Sequence, residues 1–259
     1  MSRLRESLVS RNRPLGTWIS IGHPTVAEVS ASIGLDFLLV DLEHTTMSLE
    51  TVEDITRAVE AVDGDTETVV RVPSNDPVRI KRVLDIGVDG IMVPMLESAD
   101  EARRVATAVT YPPEGERGVA SGRAAEYGQS FVEYVREADE NLTVIGQIES
   151  RDGVANADEI AHVDGIDALF VGPADLSMDY GVFGEPESEE FVEALRHVVA
   201  AGRAAETPVG TLTVDPDDMR HRLDQGFDYL IVGKDTSHLA TGNEDAKARY
   251  ERLCERSEN

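Results

Sequence analysis

Carboxylate side chains follow two apolar runs of this chain at the points where those runs end. Glu149 comes directly after the run 143–148, and Asp175 comes shortly after the run 168–172. Mg²⁺ typically takes one or two protein carboxylates and completes its coordination with water and substrate oxygens. Cysteine and further histidine ligands are missing from this set, which disfavours a structural zinc site. The sequence therefore predicts a divalent-metal site on Glu149 and Asp175 with open positions for a 2-oxo acid, whose oxo group the metal would polarise.

An acid/base pair is predicted where the run 37–41 ends. Asp41, Glu43 and His44 stand close together there, and a carboxylate such as Asp41 can orient an imidazole and stabilise its protonated form. Arg71, in the run 68–72, can offer a charge-assisted fork to a carboxylate or an enolate. Together with the metal, these groups would form, stabilise and protonate an enolate.

Further residues are expected to contact the substrate. The helix that follows Gly172 presents backbone N–H donors that suit an anion. The full set of predicted substrate contacts is Trp18, Arg71, Gln147, Gly172, Pro173, Ala174, Asp175 and Leu212. Arg123, in the long Pro- and Gly-containing loop 111–129, could bind a distal carboxylate, but we favour a solvated loop charge.

Lys234 follows the last apolar run, 229–233, and has two interpretations. A lysine at a strand end can form a Schiff base with a ketone, which would make the metal unnecessary. We favour a lysine that is salt-bridged to Asp235 or to a neighbouring subunit.

Eight apolar, strand-like runs alternate along the chain with amphipathic helical stretches. Several of the runs are continuously apolar, as parallel strands buried on both faces are. The runs are 16–21, 37–41, 68–72, 90–94, 143–148, 168–172, 209–212 and 229–233. The helical stretches include 49–62, 76–86, 99–109, 154–161, 189–205 and 216–225. Active sites of closed eight-stranded α/β barrels lie at the C-terminal strand ends, where the residues named above converge.

The spacers between helices and strands also repeat. Gly34, Gly87 and Gly226 each follow a predicted helix and precede, by two residues, an Asp at the start of a strand. No linker or change in composition suggests a domain boundary. We therefore predict one (β/α)8 TIM barrel spanning residues 1–259. A doubly wound open sheet is disfavoured because eight runs are present and no GxGxxG follows the first.

The charge balance limits the partners of this protein. Lys and Arg number 24 against 50 Asp and Glu, so the net charge is −26, which repels nucleic acid and anionic membranes. A cytoplasm of very high salt is our hypothesis, and an ordinary acidic mesophilic protein is the alternative. A cytoplasmic location is also predicted, because we find no long apolar run and no secretion signal, and the single cysteine, Cys254, fits a reducing compartment.

Several segments of the sequence resemble the HpcH/HpaI aldolase family. The resemblance covers residues 15–239. The segments that carry it are DLEH at 41–44, VRVP at 70–73, VPM at 93–95, YPP at 111–113, RG at 117–118, QIE at 147–149 and GPADLS at 172–177. The resemblance implies a divalent metal (Mg²⁺, Mn²⁺ or Co²⁺) on Glu149 and Asp175. It implies that His44, assisted by Asp41, is the acid/base and that Arg71 binds the pyruvate moiety. It also implies a homohexamer in which C-terminal helices are exchanged between neighbours.

The activity implied by this resemblance is the reversible cleavage of a 4-hydroxy-2-oxo acid to pyruvate and an aldehyde by a metal-dependent, class II aldolase. Two alternatives stay open at this point. A carbon–carbon lyase acting on a CoA thioester, as in the citrate-lyase β-like branch, would need a basic patch for the CoA phosphates. A non-enzymatic barrel scaffold would have little need of His44 as a base. The aldehyde half of the substrate and the preferred metal are not identified by the sequence.

Overall fold

A closed barrel of eight parallel strands forms the centre of the protein, in a computed structural model that describes residues 1–257. Each strand pairs with the next along the chain, and the eighth pairs with the first. The strands are β1 (Leu15–Ile19), β2 (Phe37–Asp41), β3 (Glu67–Arg71), β4 (Gly90–Val93), β5 (Thr143–Ile148), β6 (Ala168–Val171), β7 (Val209–Thr213) and β8 (Tyr229–Lys234). The predicted (β/α)8 TIM barrel is confirmed, and every predicted run overlaps one strand.

Helices surround the barrel and connect successive strands. They are α1 (Arg3–Val9), α2 (Pro24–Ser32), α3 (Leu49–Glu60), α4 (Pro77–Leu84), α5 (Ala99–Val109), α6 (Phe131–Asn141), α7 (Arg151–Ala155), α8 (Ala157–Ala161), α9 (Pro173–Asp179), α10 (Glu189–Ala204), α11 (Met219–Asp224) and α12 (Asp235–Ser257). The predicted helix 154–161 is interrupted at Asn156, whose φ of −102° and ψ of 9° are not helical. None of the helices formed by residues 1–257 has the length and apolarity needed to cross a membrane.

The barrel interior is filled by large apolar side chains from alternate positions of the strands. Phe37, Phe170 and Tyr229 pack there with little or no exposed surface. A Cβ on Gly210 would lie 2.3 Å from Cζ of Tyr229, so this position of β7 has no room for a side chain. Leu4 and Leu8 of α1 belong to the same cluster and close the N-terminal end of the barrel. The chemistry is thereby confined to the C-terminal mouth.

Four aspartates at the starts of the even-numbered strands tie those strands to the ones before them. In each case a carboxylate Oδ2 atom accepts a hydrogen bond from a backbone N–H near the start of the preceding strand. The pairs are Asp36 to Leu15 (2.7 Å), Asp89 to Thr68 (2.8 Å), Asp167 to Val144 (2.8 Å) and Asp228 to Val209 (3.0 Å). The glycines of the repeated spacer have the expected positive φ, at Gly34 (83°), Gly87 (89°) and Gly226 (99°). The repeated Gly–x–Asp spacer therefore aligns the first residues of neighbouring strands through these hydrogen bonds.

The long loop 111–129 folds against the outer helices. Arg123 donates from Nη1 to the carbonyl oxygen of Ile86 at 2.6 Å and pairs through Nη2 with Glu60. Glu60 ends α3 and Ile86 follows α4, so both lie toward the N-terminal ends of the strands. Arg123 therefore lies away from the mouth of its own barrel, where it could not bind a distal carboxylate. Its side chain is mostly buried in the ion pair with Glu60, so the favoured interpretation as a solvated loop charge was wrong as well.

Candidate active site

The predicted site residues all stand at, or just beyond, the C-terminal ends of strands. Trp18 lies on β1, Asp41 on β2, Arg71 on β3, Gln147 on β5, Leu212 on β7 and Lys234 on β8, while Glu43, His44, Glu149 and residues 172–175 follow strand ends. Leu212 packs against the interior cluster and is partly buried. The closed order of the strands brings these residues to one rim.

Arg71 is the centre of a buried ionic cluster. Its Nε and Nη2 atoms donate to Oδ1 and Oδ2 of Asp41 at 3.0 and 2.8 Å. Its Nη1 atom lies 2.7 Å from Oε2 of Glu43, at an angle too poor for a hydrogen bond. The centre of the Trp18 indole ring lies 4.5 Å from the guanidinium carbon, and the indole donates from Nε1 to Oδ2 of Asp41 at 3.2 Å. The guanidinium is thus fixed in position at the mouth of the barrel.

The two carboxylates of this cluster respond differently to burial. Burial by itself would raise the pKa of Asp41, but the hydrogen bonds and the charge of Arg71 hold that pKa below its ordinary value. Burial raises the pKa of Glu43, and the single contact with Arg71 does not fully offset it. Asp41 is therefore the permanent counter-ion of Arg71, whereas Glu43 is the carboxylate of this pair that more readily takes up a proton.

His44 lies beside Glu43 and not beside the carboxylate of Asp41. Oδ1 of Asp41 accepts from the backbone N–H groups of Glu43 and His44, at 3.0 and 3.3 Å, so it holds the turn and not the ring. Nε2 of His44 lies 3.8 Å from Oε2 of Glu43, and the imidazole side chain is 65% exposed. Because Arg71 uses both oxygens of Asp41 inside the barrel, the expected Asp41–imidazole contact is absent, and Glu43 is the carboxylate near the ring.

Glu149 is a buried carboxylate without a cationic partner among the described residues. Oε1 accepts from the backbone N–H of Met95 at 2.9 Å, and Oε2 accepts from Nε2 of Gln147. Burial raises the pKa of Glu149 to about 7, in spite of these two hydrogen bonds, and the negative charges of Glu43 and Asp175 contribute in the same direction. A bound cation would relieve this accumulation of negative charge.

Asp175 supplies the second carboxylate of the predicted metal site. It is the third residue of α9, which begins at Pro173 and has Gly172 as its N-cap, and its side chain is exposed at the rim. A Cβ on Gly172 would lie 2.6 Å from Oε2 of Glu149, so the carboxylate of Glu149 occupies the place that a side chain at this position would need. Ala174, between Pro173 and Asp175, is also exposed.

The donor set fits a divalent cation that takes few protein ligands. Within residues 1–257, no group of three or more His, Cys, Asp or Glu side chains is arranged to hold a metal. Two carboxylates, Glu149 and Asp175, with Oε1 of Gln147 buried nearby and lacking a hydrogen-bond donor, form an all-oxygen set. Such a set matches Mg²⁺ or Mn²⁺, which complete their coordination with water and substrate oxygens.

Lys234 does not pair with Asp235, which was one of the two partners expected from the sequence; a partner in a neighbouring subunit stays a prediction. Oδ2 of Asp235 accepts from the backbone N–H groups of Ser20 and Ile21, at 2.9 and 2.7 Å, so this carboxylate ties the end of β1 to the start of α12. Nζ of Lys234 lies instead 5.3 Å from the centre of the Trp18 ring. Adjacent residues at this strand end therefore point to different sides of the barrel wall.

Two groups of the site, Glu43 and the backbone of Met95, have no predicted role from the sequence. Glu43 was only a neighbour of His44 in the chain, although its place in the same short segment was a usable signal. Met95 donates its backbone N–H to Glu149 from a conformation with φ of 54°, which is unusual for a residue with a side chain. No sequence pattern indicates such a backbone contact.

Comparisons with known proteins agree with this architecture. The family model described as HpcH/HpaI aldolase/citrate lyase matches residues 15–241. A 4-hydroxy-2-oxovalerate aldolase of Novosphingobium aromaticivorans is 41% identical over 240 residues, covering 91% of this chain and 89% of the relative. A 4-hydroxy-2-oxo-heptane-1,7-dioate aldolase of Salmonella dublin is 36% identical over 247 residues, covering 95% and 93%.

A solved structure shares the complete fold. The crystal structure of a HpcH/HpaI aldolase/citrate lyase family protein from Burkholderia cenocepacia J2315 superposes with a TM-score of 0.94 at 34% identity, covering 97% of this chain and all of that one. Sequence and structure therefore agree over nearly the full length. The chain belongs to the HpcH/HpaI aldolase/citrate lyase family and is a carbon–carbon lyase.

Proposed function

We propose that this protein is a metal-dependent, class II aldolase that reversibly cleaves a 4-hydroxy-2-oxo acid to pyruvate and an aldehyde. The observation that carries the proposal is the charge arrangement at the mouth of the barrel. Glu149 is a buried carboxylate with no cationic partner among the described residues. The negative charges of Asp175 and Glu43 lie close enough to raise its pKa. Arg71, held by Asp41, supplies the fixed positive charge of the same rim.

Glu149 and Asp175 would hold the divalent cation, which is Mg²⁺, Mn²⁺ or Co²⁺ in this proposal. When bound, the cation supplies a Lewis acid for the oxo group of a 2-oxo acid. The first turn of α9, with Pro173 and Ala174, would accommodate the substrate carboxylate. Gln147 orients Glu149 through the hydrogen bond between their side chains.

Arg71 and His44 have separate roles in the proposed reaction, which are charge stabilisation and proton transfer. The guanidinium would stabilise negative charge that develops on the 2-oxo group when the carbon–carbon bond breaks, since its orientation is already fixed by Asp41. The exposed imidazole of His44, close to Glu43, would take the proton from the 4-hydroxyl group as the C3–C4 bond breaks and the aldehyde forms. The protonated imidazole would then give this proton to C3 of the enolate, which yields pyruvate, and condensation would reverse both transfers. Trp18 and Leu212 would form the apolar wall beside the substrate chain.

The similarity to aldolases of 4-hydroxy-2-oxovalerate and of 4-hydroxy-2-oxo-heptane-1,7-dioate supports this substrate class. The two substrates share the 4-hydroxy-2-oxo acid unit and differ in the aldehyde half. The shared unit is the part that a site built from Arg71, Glu149 and Asp175 would recognise. We therefore propose only the 4-hydroxy-2-oxo acid unit as part of the substrate of this protein.

The proposal is tested by coupling aldol cleavage to an assay for pyruvate. Protein treated with EDTA and then freed of chelator is expected to release pyruvate from a 4-hydroxy-2-oxo acid only after Mg²⁺, Mn²⁺ or Co²⁺ is added back. Full activity of the metal-free protein would contradict the proposal. Such a result would turn attention to Schiff-base formation at Lys234.

The CoA-thioester alternative receives less support from the structure. Four basic residues, Lys81, Arg103, Arg104 and Arg117, line a groove between α4 and α5 on the outer face of the barrel. Arg103 is paired there with Asp100 and Arg104 with Glu101. The groove is therefore partly neutralised and lies outside the ring of strands that holds the site. The scaffold alternative is opposed by the membership of the chain in a family of lyases.

We also propose that the protein is a cytoplasmic homohexamer with exchanged C-terminal helices, as the family resemblance implies. Tyr250 near the end of α12 is 69% exposed, and the apolar side chains of Val29, Ile33 and Leu239 are exposed beside the start of that helix. Burying these surfaces against a second copy would be favourable. Analytical ultracentrifugation in concentrated KCl is expected to show six copies, and a monomer would contradict this part of the proposal.

A further inference from the structure

A bulge at the end of β8 turns Lys234 toward the inside of the barrel. Tyr229 and Ile231 point inward, so regular alternation would put Gly233 inward next. The pairing with β1 shifts at this point: Gly16 lies opposite Ile231, but Trp18 lies opposite Lys234, which leaves one extra residue on β8. The extra residue reverses the alternation and places the lysine, instead of the glycine, in the mouth.

Gly233 is the residue that permits this bulge. Its φ of 66° lies in the left-handed region, where residues with side chains are rarely found. A Cβ at this position would lie 2.4 Å from the ring of His238, on the outer side of the strand. The bulge therefore has a defined structural cause, and the inward direction of Lys234 is built into the strand and is not a choice of side-chain rotamer.

The ammonium group of Lys234 lies over the ring of Trp18, with no acidic partner in the part of the chain that the structure describes. Nζ is 5.3 Å from the centre of the indole ring, while the guanidinium carbon of Arg71 is 4.5 Å from the same ring. Arg71 is occupied by Asp41 and Glu43, but among the described residues Nζ of Lys234 has no carboxylate within 4.0 Å. The chain has 50 acidic and 24 basic residues, so most basic side chains have acidic groups available to pair with. An ammonium group at the mouth of the barrel with no such partner among the described residues is suited to bind an anionic ligand.

The position of Lys234 relative to Glu149 indicates which part of a substrate it would meet. Glu149 follows β5, whereas Lys234 ends β8, three strands away in the closed order and next to β1. A substrate whose 2-oxo acid end lies at Glu149 and Asp175 would therefore extend its other end toward β8. Trp18 and Leu212, on the strands that flank β8, offer apolar surface to the intervening methylene groups.

We propose that Lys234 binds a carboxylate at the far end of the aldehyde half, so that the enzyme prefers anionic over neutral acceptor aldehydes. This inference rests on the proposed aldolase function and adds the class of the second substrate to it. The interaction is an ammonium–carboxylate pair with no covalent step. Because Lys234 is partly buried, such a pair would be screened less than a surface pair and would contribute to affinity even in concentrated salt.

The chain carries its own reporter for this test, since Trp18 is its single tryptophan. Fluorescence of the Mg²⁺-loaded protein in concentrated KCl would be titrated with 2-oxoheptanedioate and with 2-oxoheptanoate, which differ only in the terminal carboxylate. The variants are Lys234→Met, which keeps the apolar stem, and Lys234→Arg, which keeps the charge. Lys247→Met is the matched control, because Lys247 lies on the exposed face of α12 and pairs with Glu251.

Wild type is expected to bind the dicarboxylate about tenfold more tightly than the monocarboxylate. Lys234→Met should abolish that preference by weakening dicarboxylate binding about tenfold, while Lys234→Arg should retain most of it. Lys247→Met should behave as wild type. Condensation of pyruvate with succinic semialdehyde and with butanal should show the same contrast, as a KM effect specific to the anionic aldehyde.

Three results would overturn this inference. They are equal affinity of wild type for both ligands, equal losses for both in Lys234→Met, and a borohydride-trapped adduct of pyruvate on Lys234. If wild type condenses butanal with pyruvate but shows no anion preference, the inference fails while the aldolase proposal stands. If the protein binds neither ligand and condenses neither aldehyde, both fail together.

Discussion

Arg71 and Asp41 form a two-point hydrogen-bonded ion pair in the mouth of the barrel, with Nε donating to Oδ1 at 3.0 Å and Nη2 to Oδ2 at 2.8 Å. Both side chains are almost completely buried. The pair leaves Nη1 of Arg71 directed toward Glu43, 2.7 Å away. Asp41 thus determines where the positive charge of Arg71 lies, and its main role is to position the guanidinium group.

Replacing Asp41 with Asn is expected to destabilise the protein. The variant leaves a buried guanidinium with one charged partner instead of two, which should lower the free energy of unfolding by about 3 kcal/mol. Urea unfolding in concentrated KCl measures the change, with Asp54→Asn on the exposed side of α3 as control. The affinity for pyruvate should fall as well, because Arg71 loses its fixed orientation. An Asp41→Asn protein as stable as the control would refute the positioning role.

Replacing His44 with Ala should separate catalysis from binding. The imidazole is 65% exposed and carries little of the fold, so the variant is expected to fold normally. Turnover should fall about 10²- to 10⁴-fold, the range for loss of a general acid/base, while oxalate should still bind as a planar analogue of the enolate. His162→Ala, at another exposed histidine, is the control. Retained turnover in His44→Ala would mean that another group transfers the proton.

Much of the architecture could be predicted from the sequence, because strand burial and helix termination leave local signals. The continuous apolar runs became β2 and β5 with the predicted limits. The Gly–x–Asp spacers contain the aspartates that accept from the preceding strands. These features depend on a few neighbouring residues and on general rules of βα units.

The misplaced contacts share a different cause. Asp41 and His44 are three residues apart, yet the first points into the barrel and the second lies on an exposed turn. Lys234 and Asp235 are adjacent, but the bulge at Gly233 and the start of α12 direct them to different partners. The position of a residue in the sequence therefore predicted that its side chain lies at the rim of the barrel. It did not predict which residues form hydrogen bonds or ion pairs there, because these depend on the direction of each side chain.

Replacing Glu149 with Gln is expected to stabilise the metal-free protein at alkaline pH. The pKa of Glu149 is raised to about 7, so wild type gains stability as the pH falls through 7 toward the unfolded value near 4.5. Above pH 7 the buried charge is fully present, and its removal should raise the free energy of unfolding by at most roughly 3 kcal/mol. The amide group introduced by this substitution can donate a hydrogen bond to Oε1 of Gln147, which lacks a donor in the wild-type protein.

Thermal unfolding in EDTA from pH 5 to 8 measures this effect, with Glu137→Gln on α6 as control. The advantage of Glu149→Gln should shrink as the pH falls. Added Mg²⁺ or Mn²⁺ should then stabilise wild type and leave Glu149→Gln unchanged. A variant that is less stable than wild type in EDTA at pH 8 would be incompatible with an unpaired buried carboxylate.

The net charge of −26 leads to an expectation about salt. At low ionic strength the repulsion among surface carboxylates is unscreened, and the folded state should be weakened. Circular dichroism during dialysis from concentrated KCl into dilute buffer is expected to show loss of helical signal, reversed when salt is restored. Full stability in dilute buffer would favour the ordinary acidic mesophilic protein instead.

In the proposed site, Glu149 and Asp175 hold a divalent cation beside Arg71, and this cation allows an enolate to form. The most direct test is exchange of the methyl protons of pyruvate in D₂O, followed by NMR in concentrated KCl with Mg²⁺ or with EDTA, because it requires no knowledge of the acceptor aldehyde. We expect exchange that depends on the metal and is lost in Glu149→Gln. Exchange that persists in EDTA, or a folded protein that exchanges under neither condition, would contradict the claim.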